Sequence, residues 1–128
     1  MVGIVLVSHS SELARGLGSL LGQVAGLEVR IECAGGGSHD ELGTDAEAVL
    51  AAVERAETGD GVVVLADLGS SVLTVRHLLD EGTLNGHVRL ADAPLVEGAM
   101  AAAVVASMGM DLESVRQAAE DAWNARKL

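Results

Sequence analysis

The chain has no Phe and no Tyr, and Trp123 is its single aromatic residue. The interior must therefore be filled by Val, Leu, Ile, Met and Ala, and no aromatic platform exists on which bases could stack. Lysine is as scarce, with Lys127 alone beside the C-terminus. That excludes a P-loop, whose lysine reaches the nucleotide phosphates, and argues against lysine Schiff-base chemistry. Cys33 has no second cysteine to pair with, so no intrachain disulfide can form. Residues 95–110 form the longest later apolar stretch, but Glu97 interrupts it and it is too short to span a bilayer. The N-terminus lacks the basic start of a signal peptide, and its apolar run stops at Ser8. A cytoplasmic protein with no membrane insertion is expected.

What is present is apolar and acidic. Hydrophobic residues make up 49% of the 128, enough for one ordinary domain over residues 1–128 with a sizeable core. Eight basic residues stand against 19 acidic ones, a formal net charge of −11. Such a surface repels phosphate backbones and anionic lipid, so nucleic acid is not an expected partner.

Residues 2–7 and 62–66 are apolar on both faces, the pattern of strands inside a parallel sheet. Residues 28–33 and 87–92 alternate and read as edge strands. Between them lie segments of helical spacing. Leu13, Leu17, Leu20, Leu21 and Val24 form one stripe, and Ala46, Val49, Leu50 and Val53 a second. Val72, Val75 and Leu79 mark a third helix, and residues 96–107 a fourth that is apolar nearly all round and expected to be packed on most sides. Asp111 caps a last helix carrying Leu112, Val115, Ala119 and Ala122, with Met110 and Val115 placed as a hydrophobic staple. Residues 34–45, with Gly35-Gly36-Gly37, read as a long flexible loop. The alternation predicts an α/β three-layer sandwich around a four-stranded parallel sheet. Right-handed crossovers make 2-1-3-4 the simplest strand order.

In that order the chain reverses direction between the first and third strands, and a crevice opens at their carboxyl ends. The loops flanking it are Ser8-His9-Ser10-Ser11 and Asp67-Leu68-Gly69-Ser70-Ser71. His9 and Asp67 should meet there. An unperturbed imidazole titrates near pH ~6.5, so a neutral nucleophilic nitrogen is available at neutral pH. Asp67 can hold one ring N–H, fix the tautomer and stabilise the cation formed when the other nitrogen attacks. The backbone N–H groups of Gly69, Ser70 and Ser71 at a helix start, with the serine hydroxyls, can hold phosphoryl oxygens without a metal or a lysine.

Other readings are weaker. A receiver domain would place acidic metal ligands after the first strand, where Ser8-His9-Ser10 supplies none. A Gly-x-Gly-x-x-Gly turn is missing at that position. His9, Cys33 and His39 lack the close spacing of a structural zinc site, so neither metal nor cofactor is expected. His77, His87 and Arg76 read as surface residues and Cys33 as core. A non-enzymatic anion-binding regulatory module on the same fold remains the alternative of a different class.

Five stretches also resemble one family in order and spacing: Val7-Ser8-His9-Ser10, Ala34-Gly35-Gly36, Gly43-Thr44-Asp45-Ala46, Asp67-Leu68-Gly69-Ser70 and Ala93-Pro94-Leu95-Val96-Glu97-Gly98. Over essentially the whole chain the sequence resembles the phosphotransferase subunit of phosphoenolpyruvate-dependent dihydroxyacetone (glycerone) kinase, a domain related to mannose-type IIA domains of the sugar phosphotransferase system. The resemblance implies a phosphotransferase in which His9 is the phosphorylated residue, through the ring nitrogen remote from Asp67. It implies a histidine phosphocarrier protein as donor and ADP on the nucleotide-binding kinase subunit as acceptor, and a homodimer. Ser10, Thr44, Gly69, Ser70 and Ser71 are then expected around the phosphoryl group. Some relatives fuse a phosphocarrier domain to this one; the sequence ends at Leu128 without it, so a separate carrier is expected. An IIA domain of a sugar transporter is the competing reading within the same chemistry.

Overall fold

The computed structural model describes residues 1–36, 44–84 and 86–128. Four strands, β1 (Gly3–Ser8), β2 (Ile31–Gly35), β3 (Val62–Ala66) and β4 (Val88–Leu90), form one sheet in the order β2-β1-β3-β4. Every pairing is parallel. The helices are α1 (Ser11–Ala25), α2 (Ala46–Ala56), α3 (Gly69–Asp80), α4 (Leu95–Ser107) and α5 (Leu112–Asp121), with a 3-10 turn Ala122–Asn124 after the last. Strand order and layers are those expected from the alternation of apolar runs.

The two central strands explain the architecture. All residues of β1 and β3 are buried, and successive side chains enter opposite layers. Ile4, Leu6, Val63 and Leu65 join the core beneath α1, α4 and α5. Val5, Val7, Val62, Val64 and Ala66 join the core beneath α2 and α3. Both faces of a parallel sheet are covered by its crossover helices, which is why these strands carry no polar alternation.

Two expectations are corrected. The stripe on α1 is rotated: Ala14, Leu17, Leu21 and Ala25 are buried, whereas Leu13, Leu20 and Val24 are 45%, 43% and 49% exposed. The cause is Gly18, where an added Cβ would lie 2.9 Å from Cys33 Sγ. Small residues bring this helix close to β2 and swing three apolar side chains off the core. Helix α4 is covered on most of its sides: Gly98, Ala99, Ala102, Ala103 and Ala106 are buried, and Leu95, Met100 and Val105 pack partly against the same core. Its exposed apolar residues, Val96 and Val104, line with Met100 an open apolar groove of about 540 Å³.

The second correction concerns the expected loop. β2 begins and ends later than residues 28–33 because Ala34 and Gly35 continue the ladder against Val7 and Ser8, and Gly36 bridges to Thr44. Gly37 and His39 lie outside the described residues. Gly35 is required there, since a Cβ would stand 2.6 Å from Ser11 Cα and 2.8 Å from Ser10 O, both backbone atoms. Gly35→Ala must therefore push the His9 loop outward. The expected cost is about 1–3 kcal/mol, read as a lowered urea midpoint, with displaced His9 ring signals in the NMR spectrum. An unchanged midpoint and spectrum would mean that the loop is not held by this contact.

Candidate active site

The β1–β3 register pairs Val7 with Ala66, so the residues that follow, Ser8-His9 and Asp67, leave the sheet side by side. Asp67 N–H donates to Val7 O at 3.1 Å and ties the two exits together. The Asp67 carboxylate then organises both loops. Its Oδ2 accepts from Ser8 Oγ at 2.8 Å and from His9 N at 3.0 Å. Its Oδ1 accepts from Leu68 N at 2.7 Å and pairs with His9 Nδ1 at 2.9 Å.

Burial of Asp67 favours the neutral acid, but the backbone N–H of His9, the Ser8 hydroxyl, the His9 ring and the Leu68 N–H outweigh it and hold the pKa down at about 2. An ionised carboxylate only accepts, so Nδ1 of His9 carries the proton and Nε2 presents its lone pair. That lone pair accepts from the Ser70 hydroxyl. Ser71 Oγ lies 3.2 Å from Nδ1 and 2.7 Å from Thr44 Oγ1, which links the site to the start of α2.

Gly69, Ser70 and Ser71 open α3, whose N-cap, Leu68, offers no capping side chain. The first N–H groups of this helix thus face the site uncapped, beside the end of the helix dipole that attracts anions. Ser10 stands differently. Its hydroxyl accepts from Leu13 N at 3.3 Å as the N-cap of α1, and its N–H donates to Ser8 Oγ at 3.0 Å.

Ser8 is the residue that sequence reasoning overlooked. It is fully buried, and its hydroxyl bridges Asp67 to the backbone of Ser10. The available signal was positional, because a serine ending one central strand stands next to the residue that ends its neighbour. Among the described residues no group of three or more His, Cys, Asp or Glu side chains is placed to hold a metal ion. No helix among them is long and apolar enough to cross a membrane.

The depressed acidity of Asp67 has a measurable consequence. Its folded-state pKa lies below the ordinary aspartate value of ~3.9, so the stability it adds is complete above that pH and is lost as pH falls through about 2. The loss between about pH 4 and 2 should reach about 2 kcal/mol in urea titrations. Asp67→Asn should remove that portion of the pH dependence.

Fold and site together define a doubly covered parallel α/β domain with an aspartate-anchored histidine at its topological switch point. The family model described as the PTS system fructose IIA component (EIIA-man) matches residues 3–116. A relative from Escherichia coli strain K12, the phosphoryl donor subunit DhaM of a PEP-dependent dihydroxyacetone kinase, is 36% identical over 99% of this chain and 28% of its own length. A relative from Listeria innocua, the DhaM subunit of a PEP-dependent dihydroxyacetone kinase 2, is 34% identical over 91% of this chain and 95% of its own length. The crystal structure of EF1359, a protein of unknown function, superposes with a TM-score of 0.82 at 34% identity, covering 94% of this chain and 95% of that one. The chain belongs to the EIIA-man family, alongside the DhaM subunits. It spans about 28% of the length of the longer relatives, such as that from E. coli.

Proposed function

We propose that residues 1–128 act in the cytoplasm as one phosphohistidine carrier domain. It takes a phosphoryl group from a histidine phosphocarrier protein onto His9 and passes it to ADP held on the nucleotide subunit of a dihydroxyacetone kinase. The observation that carries the reading is the 2.9 Å contact of His9 Nδ1 with Asp67, which leaves Nε2 as the nucleophile. The DhaM relatives are named phosphoryl donor subunits of PEP-dependent dihydroxyacetone kinases, which supports phosphoryl transfer within such a kinase; the phosphocarrier and ADP are part of the proposal.

In the forward step the Ser70 hydroxyl turns off the Nε2 lone pair. A bond forms from Nε2 to phosphorus as the donor's P–N bond breaks. The ring becomes cationic while phosphorylated, and Asp67 stabilises that charge at the far nitrogen. The N–H groups of Gly69, Ser70 and Ser71, with the Ser70 hydroxyl beside Nε2, receive the phosphoryl oxygens, while the buried Ser71 hydroxyl and Thr44 support the ring from the Nδ1 side. Ser10 contributes by fixing the start of α1. In the second step the N–P bond breaks as a terminal oxygen of ADP attacks phosphorus.

The test is to load the protein from phosphoenolpyruvate, enzyme I and the phosphocarrier, then offer the ADP-bound kinase subunit. An acid-labile phosphoryl group that discharges to ATP supports the reading. Discharge only to a sugar-transporter IIB protein would move the chain to that branch of the family. No loading from an active carrier would sink phosphotransfer altogether.

We further propose that the chain forms a homodimer through its α1–α4 surface. Leu13, Leu20 and Val24 lie along the flank of α1 and Val96, Met100 and Val104 along α4, two neighbouring helices on the same sheet face. Two chains of net charge −11 can approach only where charge is sparse, as on this apolar strip. Val104→Glu should convert a dimer to a monomer in sedimentation while His9 still takes up phosphate. A wild type that sediments as a monomer at micromolar concentration removes this assignment.

A further inference from the structure

Three side chains at the site form an unbroken relay. Ser70 Oγ bonds to His9 Nε2, and His9 Nδ1 bonds to Asp67 Oδ1 at 2.9 Å. Phosphoryl transfer uses the histidine nitrogen as nucleophile and needs Ser70 only as a hydrogen-bond donor. In the unphosphorylated protein the same chain of atoms has a second capability. A serine hydroxyl bonded to an imidazole whose other nitrogen is held by an ionised carboxylate is an activated oxygen nucleophile.

The surroundings supply the remaining parts of acyl transfer. Ser70 sits in the first turn of α3, where the uncapped N–H groups of Gly69, Ser70 and Ser71 meet the positive end of the helix dipole. Donors able to hold a phosphoryl oxygen are also those that stabilise the oxyanion of a tetrahedral intermediate. A cleft of about 670 Å³, a volume that admits a small organic molecule, reaches the site through Asp67, Leu68 and Gly69, next in the chain to Ser70, and its further walls include Val72, Leu90, Pro94 and Trp123. Asp67, Asp80 and Asp92 line the cleft together with Arg76 and Arg89, so its charges are mixed and its apolar walls favour a small uncharged substrate.

We propose that the unphosphorylated protein is a serine esterase, with Ser70 as nucleophile, His9 as general base and acid, and Asp67 as the residue that positions the ring, acting on small uncharged carboxylic esters. Ser70 Oγ bonds to the acyl carbon as its proton passes to His9 Nε2. The ester C–O bond then breaks, and the proton on Nε2 goes to the departing alkoxide. Water attacks the acyl-serine with His9 again as base, releasing the acid and restoring Ser70. The sum is one ester and one water to one acid and one alcohol. A phosphoryl group on Nε2 would remove the base, so the two activities exclude each other in one molecule.

The probe is p-nitrophenyl acetate with the whole chain, compared with Ser70→Ala, His9→Gln and the remote Ser114→Ala. The expected result is a burst of nitrophenolate and one acetyl group on Ser70 in peptide mass spectra. Steady-state rates should be at least about 10²-fold lower in Ser70→Ala and His9→Gln and unchanged in Ser114→Ala. Ser70 is exposed, so its replacement should leave the fold intact, which circular dichroism checks. A fluorophosphonate should label Ser70 in the wild type and fail to label His9→Gln. Equal rates in wild type and Ser70→Ala, or acetyl found on His9 rather than Ser70, would overturn the proposal as simple imidazole catalysis. Acid-labile loading of His9 from a phosphocarrier is read separately, so either activity can fail while the other stands.

Discussion

Replacing His9 by Gln should leave a folded protein that takes up no acid-labile phosphoryl group, a complete loss rather than a slowing. The side chain is three-quarters covered, but it contributes contacts at one end of the sheet and lies in neither core. A glutamine amide can still donate to Asp67 Oδ1, so the cost in stability should stay within about 1 kcal/mol. What cannot be replaced is the basic lone pair at Nε2, because an amide nitrogen has none to offer. Intact mass before and after acid treatment reads the result. Phosphate retained in His9→Gln would place the acceptor elsewhere, and His77 and His87 would be the next residues to replace.

Asp67→Asn should slow phosphoryl transfer by about 10³-fold or more, and for two separable reasons. The negative charge that stabilises the imidazolium disappears, and the ring loses the acceptor that fixes its tautomer. The carboxylate also receives four donors, two on each oxygen, and each oxygen serves one backbone N–H. Whichever position the asparagine NH2 takes, it meets a backbone donor, His9 N–H or Leu68 N–H. An opposed donor of this kind costs about 1–3 kcal/mol. Rapid-quench transfer rates and urea midpoints should fall together in this variant, whereas His9→Gln should separate them. A transfer rate within a few-fold of wild type would mean that the Asp67 carboxylate contributes little beyond structure.

The meeting of His9 with Asp67 was legible because it depends on few facts. Two apolar runs end in short polar loops, crossovers are right-handed, and central strands of a parallel sheet lie side by side. Strand order follows from the same facts. Ser8 was not legible, because its part in the site depends on which atoms of the carboxylate remain to be satisfied after His9 is placed. The face of α1 was misread for a related reason. Five apolar residues allow more than one buried stripe, and the choice is made by how closely Gly18 lets the helix approach Cys33. Gly35 likewise reads as loop composition in one dimension and as a close backbone approach in three.

The reactive nitrogen is a product of sheet register. Both exits to the site are set by the pairing of Val7 with Ala66, and the carboxylate that fixes the ring is anchored by main-chain N–H groups from each side. A slip of one residue would carry Asp67 to the wrong face and leave an ordinary surface imidazole. On the function proposed above, a chain that has not yet formed this register would offer a phosphoryl donor no carboxylate-held imidazole. Folding of the sheet and preparation of the histidine are one event.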